Sequence, residues 1–174
     1  MPVFGRGRRE CPFDLLAAAF RAEVEVLLPV LYFACSDFAI ESILKVASTL
    51  PMECFFTLLR GREASIDRLS KFAADLPERL TDEIDEDICQ KDEPCLKNAY
   101  YKDVSELINA DFESYSGEHI VNAYLSRVCP HCNCFVVNEI ERRRRDIWAE
   151  VPRFFGCPSW GILEEKFREI TGSR

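Results

Sequence analysis

Residues 129–160 read CPHCNCFVVNEIERRRRDIWAEVPRFFGCPSW, and the fold class turns on them. The run opens with Cys129-Pro130-His131-Cys132, adds Cys134, and then settles into a helical pattern. Ile140, Ile147, Trp148 and Val151 fall at i, i+7, i+8 and i+11, one face of a helix with 3.6 residues per turn. Val136 and Val137 carry that stripe back almost to the cysteines. Pro152 has no N–H to donate and its ring crowds the preceding turn, so the helix is expected to stop there. Trp148 and Trp160 are expected to be largely buried, packing this helix against the next across the turn between Pro152 and Pro158.

Upstream, the same periodicity recurs in shorter pieces. Residues 1–12 read as a disordered arm, and residues 13–76 as a helical half. Leu15, Leu16, Ala19 and Phe20 mark a first helix. Val26 to Cys35 forms a second, with Pro29 tolerable only in its first turn. Phe38, Ile43, Leu44 and Ala47 suggest a third. Ser48-Thr49-Leu50-Pro51 is a stop and restart, with Pro51 near the first helical position. Cys54, Phe55, Leu58 and Leu59 follow, and Gly61 is expected to end or kink that helix before Ile66, Leu69, Phe72 and Leu76 resume the period. Residues 77–96 read as an acidic, solvated loop carrying a cysteine pair. Residues 97–174 form the second half: helical spacing at Tyr100, Val104, Leu107 and Ile108, then a helix start at Ser116-Gly117 leading to Ile120, Val121, Tyr124, Leu125 and Val128. Trp160, Leu163, Phe167 and Ile170 mark the last helix. No segment alternates convincingly, so the class is all-α, an irregular array of about six to eight short helices.

Composition narrows the function. A chain of 174 residues with a formal net charge of −8 is poorly suited to non-specific nucleic-acid binding, which draws on neutralised phosphates. The longest apolar run, Val26 to Cys35, is half of the roughly 20 residues that a membrane span requires. A cytoplasmic or nuclear protein is expected. Nine cysteines in a reducing compartment are thiols or metal ligands before they are disulfides, and an odd number does not close a disulfide framework.

The run Arg142–Arg145 invites a nucleic-acid or import reading. However, Glu139 with Arg143, Glu141 with Arg145 and Arg142 with Asp146 are all i, i+4 pairs of opposite sign, the mark of a solvated, charge-laced face. Cys129-Pro130-His131-Cys132 has the form of a thiol–disulfide active site, in which a helix N-terminus lowers the first thiol's pKa. That chemistry belongs to a strand–motif–helix unit within a parallel sheet, and βαβ alternation is missing. The same two cysteines are half of a tetrahedral zinc site, with Cys89 and Cys95 the natural second pair and His131 and Cys134 the possible substitutes. Cys11, Cys35, Cys54 and Cys157 read as small buried hydrophobes. No glycine-rich phosphate loop, HExxH or Cys–His pair with an orienting group completes a catalytic signature.

Three segments resemble the C-terminal region of basidiomycete-type BTB/POZ proteins. Leu27-Leu28-Pro29-Val30-Leu31-Tyr32 is similar to the LLP-ALY helix that follows the BTB core. Leu58-Leu59-Arg60-Gly61-Arg62-Glu63 is similar to the family's LL-GRE segment. The tail, with Arg145-Asp146-Ile147-Trp148, Val151 to Gly156 and Pro158-Ser159-Trp160, is similar to its R-x-x-W…LP-x-x-FGLPxW ending. The family's C-x₅-C and C-x₂-C pairs match Cys89/Cys95 and Cys129/Cys132. The BTB core itself has no counterpart here, so dimerisation and cullin binding are not carried over. The resemblance implies a non-enzymatic protein–protein interaction module with protein partners, while the short apolar runs argue against a membrane and the net charge against nucleic acid. A structural zinc on Cys89, Cys95, Cys129 and Cys132 is expected to hold it, with Trp148, Pro152 and Trp160 in structural roles. The alternative is a thiol–disulfide oxidoreductase working through Cys129 and Cys132. A zinc-knuckle nucleic-acid binder is disfavoured by the acidity and by the lack of aromatics interleaved with Lys or Arg.

Overall fold

Seven α-helices and one 3₁₀ turn make up the described part of the chain, residues 12–82, 88, 89, 91, 95, 96, 116–125 and 128–172 of the computed structural model. In order they are α1 (Pro12–Arg21), a 3₁₀ turn (Glu25–Leu27), α2 (Leu28–Ser36), α3 (Ile40–Lys45), α4 (Met52–Asp82), α5 (Gly117–Tyr124), α6 (Pro130–Phe154) and α7 (Trp160–Thr171). No sheet occurs among the described residues, and the all-α expectation holds. None of these helices is long and apolar enough to cross a membrane. The helix expected over Tyr100–Ile108, residues 83–87, 90 and 92–94 of the acidic loop, and all of the N-terminal arm but Pro12 lie outside the described residues.

Two expected helix ends do not fall where expected. Gly61 does not end a helix: α4 runs through it and past Pro77 to Asp82, 31 residues in all, so helix extends further into the acidic stretch than the composition suggested. Gly61 serves packing instead. A Cβ built there would lie 2.0 Å from the Phe155 ring, so the aromatic sits where any larger residue would be. Pro152 likewise lies inside α6, in its last turn. The stop comes from Gly156, at φ +65°. Its N–H donates to the Arg153 carbonyl at 3.2 Å while the Cys157 N–H reaches back to the Pro152 carbonyl at 2.8 Å, the paired bonds of a Schellman motif. A proline near a C-terminus forfeits one N–H bond, whereas its carbonyl is free to accept that closing bond.

The chain divides into two units, each taking part of α4 and part of α6. The first comprises the chain up to Ser65 together with Ala149–Arg174. There α1 and α2 pack together over Leu16, Ala17, Ala19, Leu31, Tyr32 and Cys35, and the 3₁₀ turn touches α1, α2 and α7. Glu25 of that turn pairs with Lys166 of α7. The Tyr32 ring stacks on Phe155, centroids 5.2 Å apart and planes 10° off parallel. Phe155 is thereby held between α2 and the glycine of α4. Trp160, in this unit, is only partly buried.

The second unit is Ile66–Trp148. Leu69, Phe72, Ala73, Leu76 and Leu80 give α4 one buried face. The buried residues of α6 in this unit are Cys132, Val136, Ile140 and Ile147, and those of α5 include Ile120 and Val121. Trp148 is partly buried, not enclosed. The Ser116 hydroxyl caps α5 by accepting the His119 N–H at 3.3 Å, the expected start. Gly117 then lets α5 lie directly on α6: a Cβ there would come within 2.7 Å of the Val137 backbone. Its N–H donates to Glu141 at 2.9 Å. Arg142, Arg143 and Arg144 of the arginine run are paired, though Glu141 takes Arg144 where the spacing named Arg145. Glu139 holds Arg143 at 2.6 Å and also Arg142, Glu141 holds Arg144 at 2.8 Å, and Asp146 lies 3.8 Å from Arg142.

Candidate metal centre

The first turn of α6 supplies half of the site. Cys129 occupies the N-cap position, with its carbonyl accepting the Asn133 N–H at 2.9 Å. Its Sγ accepts the Cys132 N–H at 3.5 Å, the role that a serine or aspartate oxygen plays in other helices. Pro130 follows at the first helical position, where a missing N–H costs nothing. Cys132 is three residues on, and with Val136 and Ile140 it forms an i, i+4, i+8 row, so its thiol is turned into the core of the second unit and is fully buried. The other half comes from the segment after α4. Cys89 is buried, Cys95 is partly exposed, and the Cys95 N–H donates to Cys89 Sγ at 3.3 Å.

The four thiol sulfurs of Cys89, Cys95, Cys129 and Cys132 lie within 4.8 Å of one another. A tetrahedron with Zn–S bonds near 2.3 Å has edges of about 3.8 Å, so the widest of these separations is within about one ångström of what a zinc would require. His131 and Cys134, the possible substitutes, are both exposed and outside the cluster; the Asn138 amide donates to Cys134 Sγ at 3.5 Å. Among the described residues no other group of potential ligands converges in this way.

Backbone N–H groups set the character of the sulfurs. Those of Cys95 and Lys91 lower the Cys89 pKa to about 6. The N–H of Cys132 is the main influence lowering that of Cys129, with His131 adding to it. Cys132 moves the other way, raised by burial and by the neighbouring thiols. Such N–H···S bonds favour the thiolate, the form that binds metal. These donors were invisible in the sequence, because a main-chain N–H has no residue-type signature.

No protein-family model, no curated protein and no solved structure matches the chain. The chemistry of the site therefore has to speak for it. Four sulfur donors and nothing else fit a soft or borderline cation such as Zn²⁺ and suit Ca²⁺ or Mg²⁺ poorly, since those ions require oxygen. The remaining thiols are of another kind. Burial, then the nearby Cys54, raises Cys35 to about 12, and burial, then Glu25, raises Cys157 to about 11. Both are held as unreactive thiols, Cys35 in the core and Cys157 partly exposed. Among the described residues the nearest helix before Cys129-Pro130-His131-Cys132 is α5, whereas the oxidoreductase reading called for a strand before the motif.

Proposed function

We propose that this chain is a non-catalytic protein–protein interaction module whose second unit is stapled by a structural zinc ion held by Cys89, Cys95, Cys129 and Cys132. The observation that carries the reading is the convergence of four thiols, two from each of two sequence-distant pairs, within 4.8 Å. Four protein ligands fill a tetrahedral zinc, leaving no position for water or substrate, which is the mark of structural rather than catalytic sites. Thiolates persist as ligands in a reducing compartment, so a zinc of this kind favours a cytoplasmic or nuclear protein.

The interaction half rests on the first unit. Ile40 with Leu44 on α3, Met52 with Phe56 on α4 and Phe167 with Ile170 on α7 are exposed large apolar pairs at helical spacing. Apolar surface grouped in this way is commoner at protein-binding faces than on inert ones. The likeness of three sequence segments to the C-terminal region of BTB/POZ proteins favours the same class.

Elemental analysis of reduced, purified protein, run beside an insulin-reduction assay, tests the proposal. One zinc per chain and no turnover is the expected result. Well under one zinc per chain ends the metal reading. Turnover lost in Cys129→Ser replaces the interaction module with a thiol oxidoreductase, the reading favoured by a lowered Cys129 beside a raised Cys132.

A further inference from the structure

The four sulfurs are not equally shielded, and the difference gives the site a direction in which to open. Cys89 and Cys132 are buried, while Cys95 and Cys129 reach the surface. Cys129 and Cys132 also share one helical turn, and the Cys132 N–H already holds Cys129 Sγ at 3.5 Å. We propose that peroxide-type oxidants close a Cys129–Cys132 disulfide and so release the metal, making the centre a redox-governed staple. This inference rests on the zinc reading above.

The chemistry balances with the oxidant named. Cys129 sulfur, from the less buried residue of the pair, attacks one peroxide oxygen: an S–O bond forms, the O–O bond breaks and the departing hydroxide takes up a proton to leave as water. The Cys132 sulfur then attacks the Cys129 sulfenic acid, the S–S bond forms, the S–O bond breaks and a second water leaves. The two thiolates together lose two electrons, hydrogen peroxide gains them, and two protons are consumed. Zinc is neither oxidised nor reduced. It loses two of its four ligands, and Cys89 and Cys95 alone do not complete a tetrahedron.

Closure within the C-x₂-C turn is favoured over the other pairings by geometry. It spans the shortest loop available among the four cysteines, so it needs the least reorganisation of the chain. The N-terminus of α6 stabilises negative charge on Cys129 sulfur and its sulfenate. A Cys89–Cys95 closure would span a longer loop and take Cys89 sulfur away from the N–H groups of Lys91 and Cys95.

Zinc-loaded protein carrying Cys134→Ser, which removes an exposed thiol outside the cluster, is titrated with hydrogen peroxide. Zinc is followed with a chromophoric chelator and disulfides by peptide mass mapping. The expected result is one zinc released per disulfide formed, the disulfide joining Cys129 to Cys132, and recovery on adding a dithiol with zinc. A dimedone adduct trapped early on Cys129, in the otherwise native chain, is the supporting observation that does not depend on a folded ligand mutant. Zinc retained under a large excess of peroxide, or a first disulfide joining Cys89 to Cys95, overturns the proposal and leaves the structural-zinc reading intact. Reduced protein that holds no zinc before any peroxide is added overturns both, and elemental analysis shows which has happened.

Discussion

At the scale of single residues, two glycines carry more structure than their sequence context announces. Gly61 sits in mid-helix, where alanine would be favoured by about 1 kcal/mol on propensity alone. Phe155 occupies the place of its missing side chain and is itself pinned by the Tyr32 ring. Since Phe155 is only 4% exposed, the ring has nowhere to retreat. Gly61→Ala should therefore destabilise the protein by about 1–2 kcal/mol, overpacking outweighing propensity. Urea denaturation would show it, and a variant as stable as the parent would mean that the ring swings aside. Nothing in residues 58–63 could have revealed this, because the contact partner lies more than ninety positions away; a lone glycine in a helical pattern reads as a break. Ser116-Gly117 was legible because capping chemistry is local. That Gly117 rests on the Val137 backbone was not.

At the scale of elements, helix existence was readable and helix ends were not. The apolar period located every described helix, since burial of one face imposes it. Ends depend on where the backbone turns left-handed, and composition shows that only when glycine is there. α6 ends on Gly156 although Pro152 is the louder signal. α1 ends with Glu23 at φ +55°, with its N–H on the Phe20 carbonyl and the Val24 N–H on that of Ala19. A left-handed conformation strains a residue that has a Cβ by roughly 1–2 kcal/mol. Glu23→Gly should relieve it and raise stability by about 0.5–1 kcal/mol after the entropy of the unfolded glycine is counted. A thermal melt that moves downward would contradict this. The charged face of α6 makes a second case. Sequence spacing gave a solvated ladder, for which reversing Arg143 would change stability by only tenths of a kcal/mol. In the structure Glu139 is 11% exposed and holds two arginines. Arg143→Glu sets a like charge beside that sheltered carboxylate, and a loss of about 1 kcal/mol is the expected outcome in denaturant titration.

For the whole molecule, the question is how much of the stability of the second unit resides in its thiol cluster. The convergence could be anticipated in outline, because clustered thiols call for a reason other than disulfides and because a helix pair returns the chain on itself. The roles of individual sulfurs could not: Cys132 is buried because it continues the Val136–Ile140 face, while Cys134, two residues on, is carried to the solvent side. All four members of the cluster belong to the second unit. Metal bound there and not by the unfolded chain stabilises by about 2.7 kcal/mol when free metal exceeds its dissociation constant a hundredfold. For a chain of this size that is about 5–10 °C in melting temperature. A strong chelator added to reduced protein should lower the melting temperature by at least that much. It should also accelerate amide exchange at Cys95, Leu96 and the first turn of α6 before it does so at Tyr32 or Leu58, in the core of the first unit. Readdition of zinc, but not of magnesium, should restore both, because only the former accepts four sulfurs. An unchanged melt, with exchange at Cys95 and Cys132 indifferent to chelator, would mean that the buried thiols are held by packing and N–H···S bonds alone, and that the core of the second unit stands without a metal.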